Sequence, residues 1–278
     1  MIPDSKASTV SEPSAFVRFF AGLVAPLFSF ITVLGEHFML LFRAFAWLFR
    51  RPFRLRLFVE QMDYIGVGSL PIVLLVGAFS GMVSALQAIL ALQQFDQTRF
   101  VGMAVGLSLS EEIAPVFAGL MIAARAGSGM ATELGSMRIT EQIDALTTFA
   151  VNPIQYLLTP RIVAAILMLP VMTMAFDITG LAGAYLVSIV GYNLDIGQVL
   201  GLFSFWVDPR HFYKGFIKAA VFGLVLALAA CYQGFNVRGG AKEVGLATTR
   251  AVVSGSVGIL IVDYFLIDLL AVLMPSLD

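Results

Sequence analysis

The sequence predicts an all-α, polytopic membrane protein with about five transmembrane helices. Hydrophobic residues make up 59% of the 278-residue chain and charged residues only 13%, whereas soluble domains contain about 25% charged residues. The mean hydropathy is +0.91, and the apolar residues form stretches long enough to cross about 30 Å of hydrocarbon. So few charges cannot cover a soluble fold, and we expect one membrane domain.

The amino-terminal region differs from the rest of the chain. Residues 1–14 are polar and lack the basic start and apolar core of a secretory signal peptide, so we expect a cytoplasmic tail. Residues 16–49 are rich in Phe and Leu, are interrupted by charges, and end in a basic cluster. This pattern predicts amphipathic interfacial helices over residues 15–60. An extra crossing over residues 23–41 is the alternative.

Five later stretches predict the transmembrane helices. They are residues 65–92, 100–124, 162–190, 219–232 and 251–274, with residue 216 as an alternative start of the fourth. The third is preceded by Thr159 and Pro160, and a hydroxyl residue followed by proline is typical of a helix start.

Two glycine pairs predict close packing between helices. Gly77 and Gly81 lie in the first stretch, and Gly102 and Gly106 lie in the second. Small residues four apart let helix backbones approach closely in lipid. We therefore assign these glycines to packing.

The basic residues predict the orientation. With the amino terminus in the cytoplasm, 13 of the 17 Lys and Arg residues fall on the cytoplasmic side, as the positive-inside rule requires. Five crossings then place the carboxyl terminus in the periplasm. The four remaining residues are Arg99, Arg210, Lys214 and Lys218, and the last two lie where the rule would not put them.

The sequence argues against a soluble enzyme. Its two histidines, His37 and His211, are predicted near the interfaces, without partners at metal-ligand or triad spacing. The lone Cys231 has no disulfide partner and is interpreted as a packed apolar residue. No G-x-x-x-x-G-K-[ST] loop is present. We therefore expect no cofactor of its own, no metal and no nucleic-acid partner, and any ATP must be bound by another chain.

Glu111 and Glu112 lie in the middle of the second stretch. An ionisable residue within a span is costly and indicates a functional site. Adjacent residues point about 100° apart, and Pro115 cannot bond the Glu111 carbonyl, so we expect a kinked, polar segment with Ser108 on the same face as Glu112. A structural hydrogen bond from a protonated carboxyl is the alternative. Three further acids stay unassigned: Asp177, Asp263 and Asp268.

The segment after the second stretch, residues 124–146, carries both apolar and charged residues. Met130, Leu134 and Met137 recur at helical spacing, with charged residues elsewhere around the turn. This predicts a short amphipathic helix on the cytoplasmic side. It is either a connector in the interface or a docking helix for a cytosolic partner.

Several linked motifs resemble those of the MlaE/YrbE permeases, the membrane subunits of lipid-transporting ABC systems that work with MCE-domain proteins. The motifs are Glu112-x-x-Pro115-Val116, Ala124-Arg125-Ala126-Gly127-Ser128 and Glu133-Leu134-Gly135-x-Met137-Arg138-x-Thr140-Glu141-Gln142. The resemblance runs from about residue 66 to residue 273. Glu111 stands where many members have arginine, and Asn152 stands where they have aspartate.

The resemblance implies a permease domain over residues 61–278 and a homodimer that encloses a phospholipid pocket. It also implies an ABC ATPase dimer on the cytoplasmic side and a ring of MCE domains on the periplasmic side. The implied location is the bacterial inner membrane, and the implied role is in the lipid asymmetry of the outer membrane. The implied pocket residues are Glu112, Glu111, Ser108, Gln87 and Pro115. The implied ATPase-coupling residues are Glu133, Gly135, Met137, Arg138, Glu141 and Gln142.

Two other functions would also explain parts of the sequence. A proton or ion conductor could use the intramembrane acids Glu111, Glu112, Asp177 and Asp263 without any partner. A purely structural membrane scaffold would explain the glycine packing. Co-purification of an ATPase would separate the permease from the conductor, and silent Glu112 substitutions would favour the scaffold.

Overall fold

The computed structural model describes residues 15–48, 50 and 54–274. The predicted cytoplasmic tail, residues 1–14, lies outside the described residues. The chain divides into two units, residues 1–42 and 43–278. Every regular element in the described ranges is helical, which confirms the predicted all-α class.

The α-helices follow one another with short connections. They are α1 (Ala15–Leu48), α2 (Leu55–Ile65), α3 (Leu70–Gln93), α4 (Val101–Ser108), α5 (Ala114–Ile122), α6 (Ser128–Ile139), α7 (Gln142–Thr148), α8 (Thr159–Tyr185), α9 (Ile196–Trp206), α10 (Pro209–Phe235) and α11 (Ala241–Leu273). Among the described residues, six helical stretches are long and apolar enough to cross a membrane. They are Ile31–Leu48, Leu55–Gln93, Thr98–Ile139, Ile154–Gly191, Pro209–Phe235 and Ala241–Leu273.

The predicted interfacial range, residues 15–60, contains the 34-residue helix α1 and the start of α2. Helix α1 is one continuous helix. It is about 51 Å long at 1.5 Å per residue. Its apolar window is Ile31–Leu48, later in the chain than the alternative crossing over residues 23–41. Length and composition qualify α1 as a sixth crossing, and its interfacial placement stays a prediction that the sidedness of the termini tests.

The second membrane helix is longer than predicted. Two π-helical turns, Leu109–Ile113 and Ala123–Gly127, join α4, α5 and α6 into one helical stretch of 42 residues, Thr98–Ile139. The sequence interpretation ended this helix before Arg125, a charged residue. In the structure the Arg125 guanidinium donates to the Tyr64 carbonyl at 2.8 Å and to Ser69 Oγ at 3.1 Å. These hydrogen bonds stabilise the Arg125 guanidinium inside the protein. The helix therefore continues through the first part of the predicted amphipathic segment and ends at Ile139.

Helix α10 also extends beyond its predicted range of residues 219–232. It spans Pro209–Phe235 and is the most buried of the six apolar stretches. A proline in the first turn suits a helix start. The predicted start was wrong because Lys214 and Lys218 argued against a membrane helix, whereas the structure pairs both of them with acids.

Close helix packing confirms the interpretation of the glycine pairs. Helix α8 packs along α3 and α10, and α10 also packs along α6 and α11. A Cβ atom on Gly81 would collide with the Gly180 backbone of α8, and one on Gly102 would collide with the Val199 carbonyl of α9. Helix α8 begins at Thr159 as predicted, although the π turn Ile154–Leu158 extends it backwards.

Candidate functional site

Six ionisable side chains from three helices form a charged cluster inside the bundle. Glu111 and Glu112 come from the Thr98–Ile139 stretch, three basic side chains come from α10, and one acid comes from α11. The members of this charged cluster are Glu111, Glu112, His211, Lys214, Lys218 and Asp263.

The local backbone brings these side chains together. Pro115 has no N–H group to bond the Glu111 carbonyl, and the helix takes a π turn over Leu109–Ile113. Such turns are frequent at functional sites. Helix α10 approaches this turn at Gly215, where a Cβ atom would collide with the Ser110 carbonyl. The absence of a side chain at Gly215 therefore lets the basic residues on either side of it reach the acids.

Glu111 has two basic partners. Its Oε1 atom lies 2.5 Å from His211 Nδ1 and accepts a hydrogen bond from Lys214 Nζ at 3.2 Å. All three side chains are mostly buried, with exposed fractions of 14–28%. Charged groups in a membrane are tolerated when they pair in this way. Glu111 is therefore anchored to α10.

Lys218 joins the other two acids. Its Nζ atom donates to Glu112 Oε1 at 2.5 Å and lies 3.1 Å from Asp263 Oδ1. The second contact is an ion pair without hydrogen-bond alignment, since Asp263 Oδ1 has no hydrogen-bond partner. The Lys218 side chain is 3% exposed, whereas that of Glu112 is 40% exposed. Lys218 is thus buried at the centre of this half of the cluster, and Glu112 lies at its edge, where the carboxylate is partly exposed.

The cluster lies toward one end of the bundle. Helices α10 and α11 form a hairpin, so the start of α10 and the end of α11 lie on the same side. Lys218 is about 14 Å from the start of α10, and Asp263 is about 15 Å from the end of α11, at 1.5 Å per residue. With His211 protonated the three acids balance three cations, and with His211 neutral the net charge is −1. A nearly balanced cluster limits the cost of burying charge in lipid.

This geometry bears on three sequence interpretations. His211 was expected to have no partner at metal-ligand or triad spacing in the sequence, and it pairs with Glu111, 100 positions earlier in the chain. The described residues contain no group of His, Cys, Asp and Glu suited to a metal. For Glu112 the sequence left a structural hydrogen bond open as the alternative, and its carboxylate accepts a hydrogen bond from Lys218. Lys214 and Lys218 belong to the membrane helix α10, so they do not count against the positive-inside rule.

The other predicted pocket residues lie apart from the charged cluster's ion pairs. Pro115 is buried directly after the π turn, while Gln87 on α3 and Ser108 at the end of α4 are exposed. The π turn begins directly after Ser108 and contains Glu112, so their four-residue spacing is no longer one helical turn. A place for Ser108 and Gln87 in a lipid pocket stays a prediction.

The predicted coupling residues occupy the opposite end of the bundle, and two of them are tied into it. Glu133 Oε2 lies 2.7 Å from Arg161 Nη2, and the Arg161 side chain is 4% exposed. Gly135 is buried, and a Cβ atom there would press on Val237 and Val244 at 3.2 Å. The structure thus connects α6 to α8 through Glu133 and to the α10–α11 hairpin through Gly135.

The remaining predicted coupling residues surround a short exposed helix, α7. Arg138 Nη1 donates to Asp144 Oδ1 at 2.7 Å, which joins the end of α6 to α7. Glu141 has a left-handed backbone with φ of 60°, and Gln142 is exposed while Met137 is half-buried. Phe149, directly after α7, is 78% exposed. Sequence reasoning missed it because an aromatic residue in an apolar chain carries no signal of its own.

Comparison with known proteins agrees with this architecture. The family model described as "Permease MlaE" matches residues 58–269. A "Probable ABC transporter permease protein" of Rickettsia felis is 40% identical over 242 residues, covering 86% of this chain and 93% of that protein. The "Intermembrane phospholipid transport system permease protein MlaE" of Haemophilus influenzae is 34% identical over 251 residues, covering 90% and 96%.

A plant protein is also similar. "Protein TRIGALACTOSYLDIACYLGLYCEROL 1, chloroplastic" of Arabidopsis thaliana is 35% identical over 208 residues, covering 75% of this chain and 59% of that protein. The family model covers most of the chain, including the charged cluster and the coupling segment. The chain therefore belongs to the MlaE permease family and is a multi-pass membrane permease of an ABC transport system.

Proposed function

We propose that this permease moves phospholipid between the bacterial inner membrane and a periplasmic MCE-domain partner, driven by ATP hydrolysis on a separate subunit. The observation that carries the proposal is the charged cluster. It lies toward one end of the bundle and is built from three helices, and the Glu112 carboxylate at its edge is 40% exposed. The name of the Haemophilus relative, a phospholipid transport permease, supports the substrate class.

The cluster suits a lipid-handling role because it links three helices through polar contacts. A lipid head group that competes for Lys218 or Glu112 would exchange one charge-assisted bond for another. Such an exchange would alter how α10 and α11 pack against the Thr98–Ile139 stretch. In this account Glu111 and Glu112 border the lipid pocket of a homodimer, together with Ser108, Gln87 and Pro115.

The opposite end of the bundle supports ATPase coupling. The exposed helix α7 and the exposed Phe149 form a small surface. Exposed aromatic side chains of this kind commonly anchor protein interfaces. A displacement of α7 would be transmitted to α6 through the Arg138–Asp144 ion pair. It would be transmitted from α6 to α8 through the Glu133–Arg161 ion pair. We propose that this route carries movement from the ATPase dimer to the membrane helices.

The proposed orientation follows the basic residues. It places α6 and α7 in the cytoplasm and the charged cluster in the periplasmic half of the bilayer, near the MCE partner. The amino terminus is then cytoplasmic and, with five crossings, the carboxyl terminus is periplasmic.

A proton or ion conductor is less well supported. That hypothesis needs several acids free to exchange protons or cations, but Glu111, Glu112 and Asp263 each lie within 3.2 Å of a basic nitrogen. Of its four acids, Asp177 is the one without such a partner, and a single acid does not form a relay.

Native mass spectrometry of the complex purified from its own membranes tests the proposal. We expect two copies of this chain, an ATPase dimer, an MCE-domain ring and bound phospholipid. Recovery of the permease dimer without an ATPase, together with proton flux that Glu112→Gln abolishes, would contradict the proposal and favour a conductor.

A further inference from the structure

Helix α8 contains a buried carboxyl group that belongs to no ion pair or hydrogen bond. Asp177 is 2% exposed, and both of its carboxylate oxygens lack a hydrogen-bond partner. One turn earlier, the buried Thr173 hydroxyl is also without a partner. Buried polar groups in proteins are nearly always hydrogen-bonded, and leaving one unpaired is costly. The two orphan Asp177 oxygens therefore indicate a place where a polar ligand group binds.

Asp177 lines a groove of about 390 Å³ between α8 and the first two turns of α10. On α8 the groove is flanked by Met174 and Ile178, and on α10 it is lined by three aromatic residues, Phe212, Tyr213 and Phe216. Met174, Ile178 and Tyr213 are each more than half exposed. The groove is therefore open at the surface of the bundle and has an acidic group in an otherwise apolar and aromatic wall.

The groove lies near the membrane–water boundary. Phe216 is about 10 Å from the start of α10 at 1.5 Å per residue. Just before α10, the exposed rings of Phe205 and Trp206 pack edge to face, 5.5 Å apart. Aromatic residues of this kind are enriched at the level of lipid head groups. The groove therefore reaches from the head groups into the upper acyl region.

The groove differs from the charged cluster although both involve α10. The cluster uses His211, Lys214 and Lys218, which face the acids of the Thr98–Ile139 stretch and α11. The residues of α10 that line the groove lie on the side toward α8. Because Asp177 is 2% exposed, a ligand in the groove would reach its carboxylate only after the flanking side chains shift, but it would displace no ion pair of the cluster.

We propose that this groove binds the head group of an aminophospholipid, with its primary ammonium on Asp177. A carboxylate beside aromatic faces is a suitable site for an organic cation. A primary ammonium has three N–H donors, two of which match the two Asp177 oxygens. The acyl chains would lie along the exposed Met174 and Ile178. This inference rests on the proposed lipid substrate and adds a head-group preference to it.

Lipid titration with detection by native mass spectrometry tests the inference. Purified permease dimer is titrated separately with dioleoyl phosphatidylethanolamine and dioleoyl phosphatidylglycerol, which share acyl chains and differ in the amine. We expect the wild type to bind the ethanolamine lipid about tenfold more tightly. Asp177→Asn should weaken that binding at least about fivefold and leave the glycerol lipid unchanged. Asp268→Asn, an exposed acid on α11, is the matched control.

Three outcomes would overturn the inference. The first is an Asp177→Asn variant that has the Tm of the wild type and the same ratio of affinities for the two lipids. The second is a wild type without preference. The third is loss of the dimer in Asp177→Asn or Tyr213→Leu with unchanged lipid selectivity, which would assign the groove to contact between copies of the chain.

Two features of the design keep the result interpretable. If Asp177→Asn fails to fold, Tyr213→Leu carries the test, because that side chain is 59% exposed and its loss removes an aromatic face. We expect Tyr213→Leu to weaken ethanolamine lipid binding at least about threefold. Failure of the groove would appear as an unaltered head-group ratio. Failure of the proposed function would appear as absence of ATP-driven lipid transfer by the wild type.

Discussion

Replacing Lys218 by methionine should destabilise the permease more than any other single loss of a charge in the cluster. The Lys218 side chain is 3% exposed and contacts both Glu112 and Asp263. Removing one partner of a buried ion pair costs about 3–5 kcal/mol, because the other charge stays buried. Glu112 is 40% exposed, so water screens part of this cost. We therefore expect a loss of about 2–4 kcal/mol in the free energy of unfolding.

The assay is thermal unfolding of the purified permease in detergent or nanodiscs. In a chain of this size 1 kcal/mol shifts Tm by about 2–4 °C, so Lys218→Met should lower it by on the order of 10 °C. Arg210→Met is the matched control on the same helix, since Arg210 is half exposed and lies 3.8 Å from Asp208. We expect that control to change stability by less than about 0.5 kcal/mol.

A double-mutant cycle identifies the cause of the loss. Glu112→Gln alone leaves Lys218 paired with Asp263 and should cost about 1 kcal/mol. The same change in the Lys218→Met background removes an unpaired carboxylate and should recover part of the stability, with a coupling energy of about 0.5–3 kcal/mol. A Tm for Lys218→Met within about 1 °C of the Arg210→Met value would refute the reasoning.

Three further predictions concern packing, coupling and topology. Gly215→Ala places a Cβ atom against the Ser110 carbonyl and should cost about 1–3 kcal/mol in the free energy of unfolding. The control is Gly201→Ala, where no atom lies within 4 Å of the new Cβ, and it should be neutral or stabilising. Equal Tm values for the two variants would contradict the close approach at Gly215. Phe149→Ser should reduce ATPase co-purification by at least about threefold without lowering Tm, because the ring is 78% exposed; unchanged co-purification would remove Phe149 from the interface. Labels at the amino terminus and in residues 238–242 should report cytoplasm, and a label at the carboxyl terminus should report periplasm; both termini on one side would make α1 a sixth crossing.

The sequence predicts the fold class well because lipid imposes a simple constraint. Every backbone polar group in a span must be bonded within its own helix, so long apolar stretches identify membrane helices directly. The start of α10 was missed because this criterion looks only for apolar residues. Lys214 and Lys218 make that stretch look like a loop until their acid partners are known, and pairing between residues about 100 positions apart leaves no mark in one sequence.

The sequence predicted the acidic residues of the candidate site but not their basic partners. Glu111 and Glu112 are conspicuous because acids are rare inside a span, and Pro115 correctly indicates a disturbed helix. Their basic partners on α10 depend on the close approach at Gly215, a tertiary contact that local patterns do not encode. Asp177 was noted without a role, because its lack of partners is visible only once α8 and α10 are packed together.

The most direct test of the central claim is ATP-driven transfer of fluorescent phospholipid in proteoliposomes that contain the permease, its ATPase and its MCE-domain partner. Glu112→Leu leaves Lys218 paired with Asp263 but removes the open edge of the charged cluster. We predict that it lowers transfer at least about fivefold, while Asp268→Leu, an exposed acid on α11, leaves transfer unchanged. Transfer by folded Glu112→Leu at the wild-type rate would contradict the account.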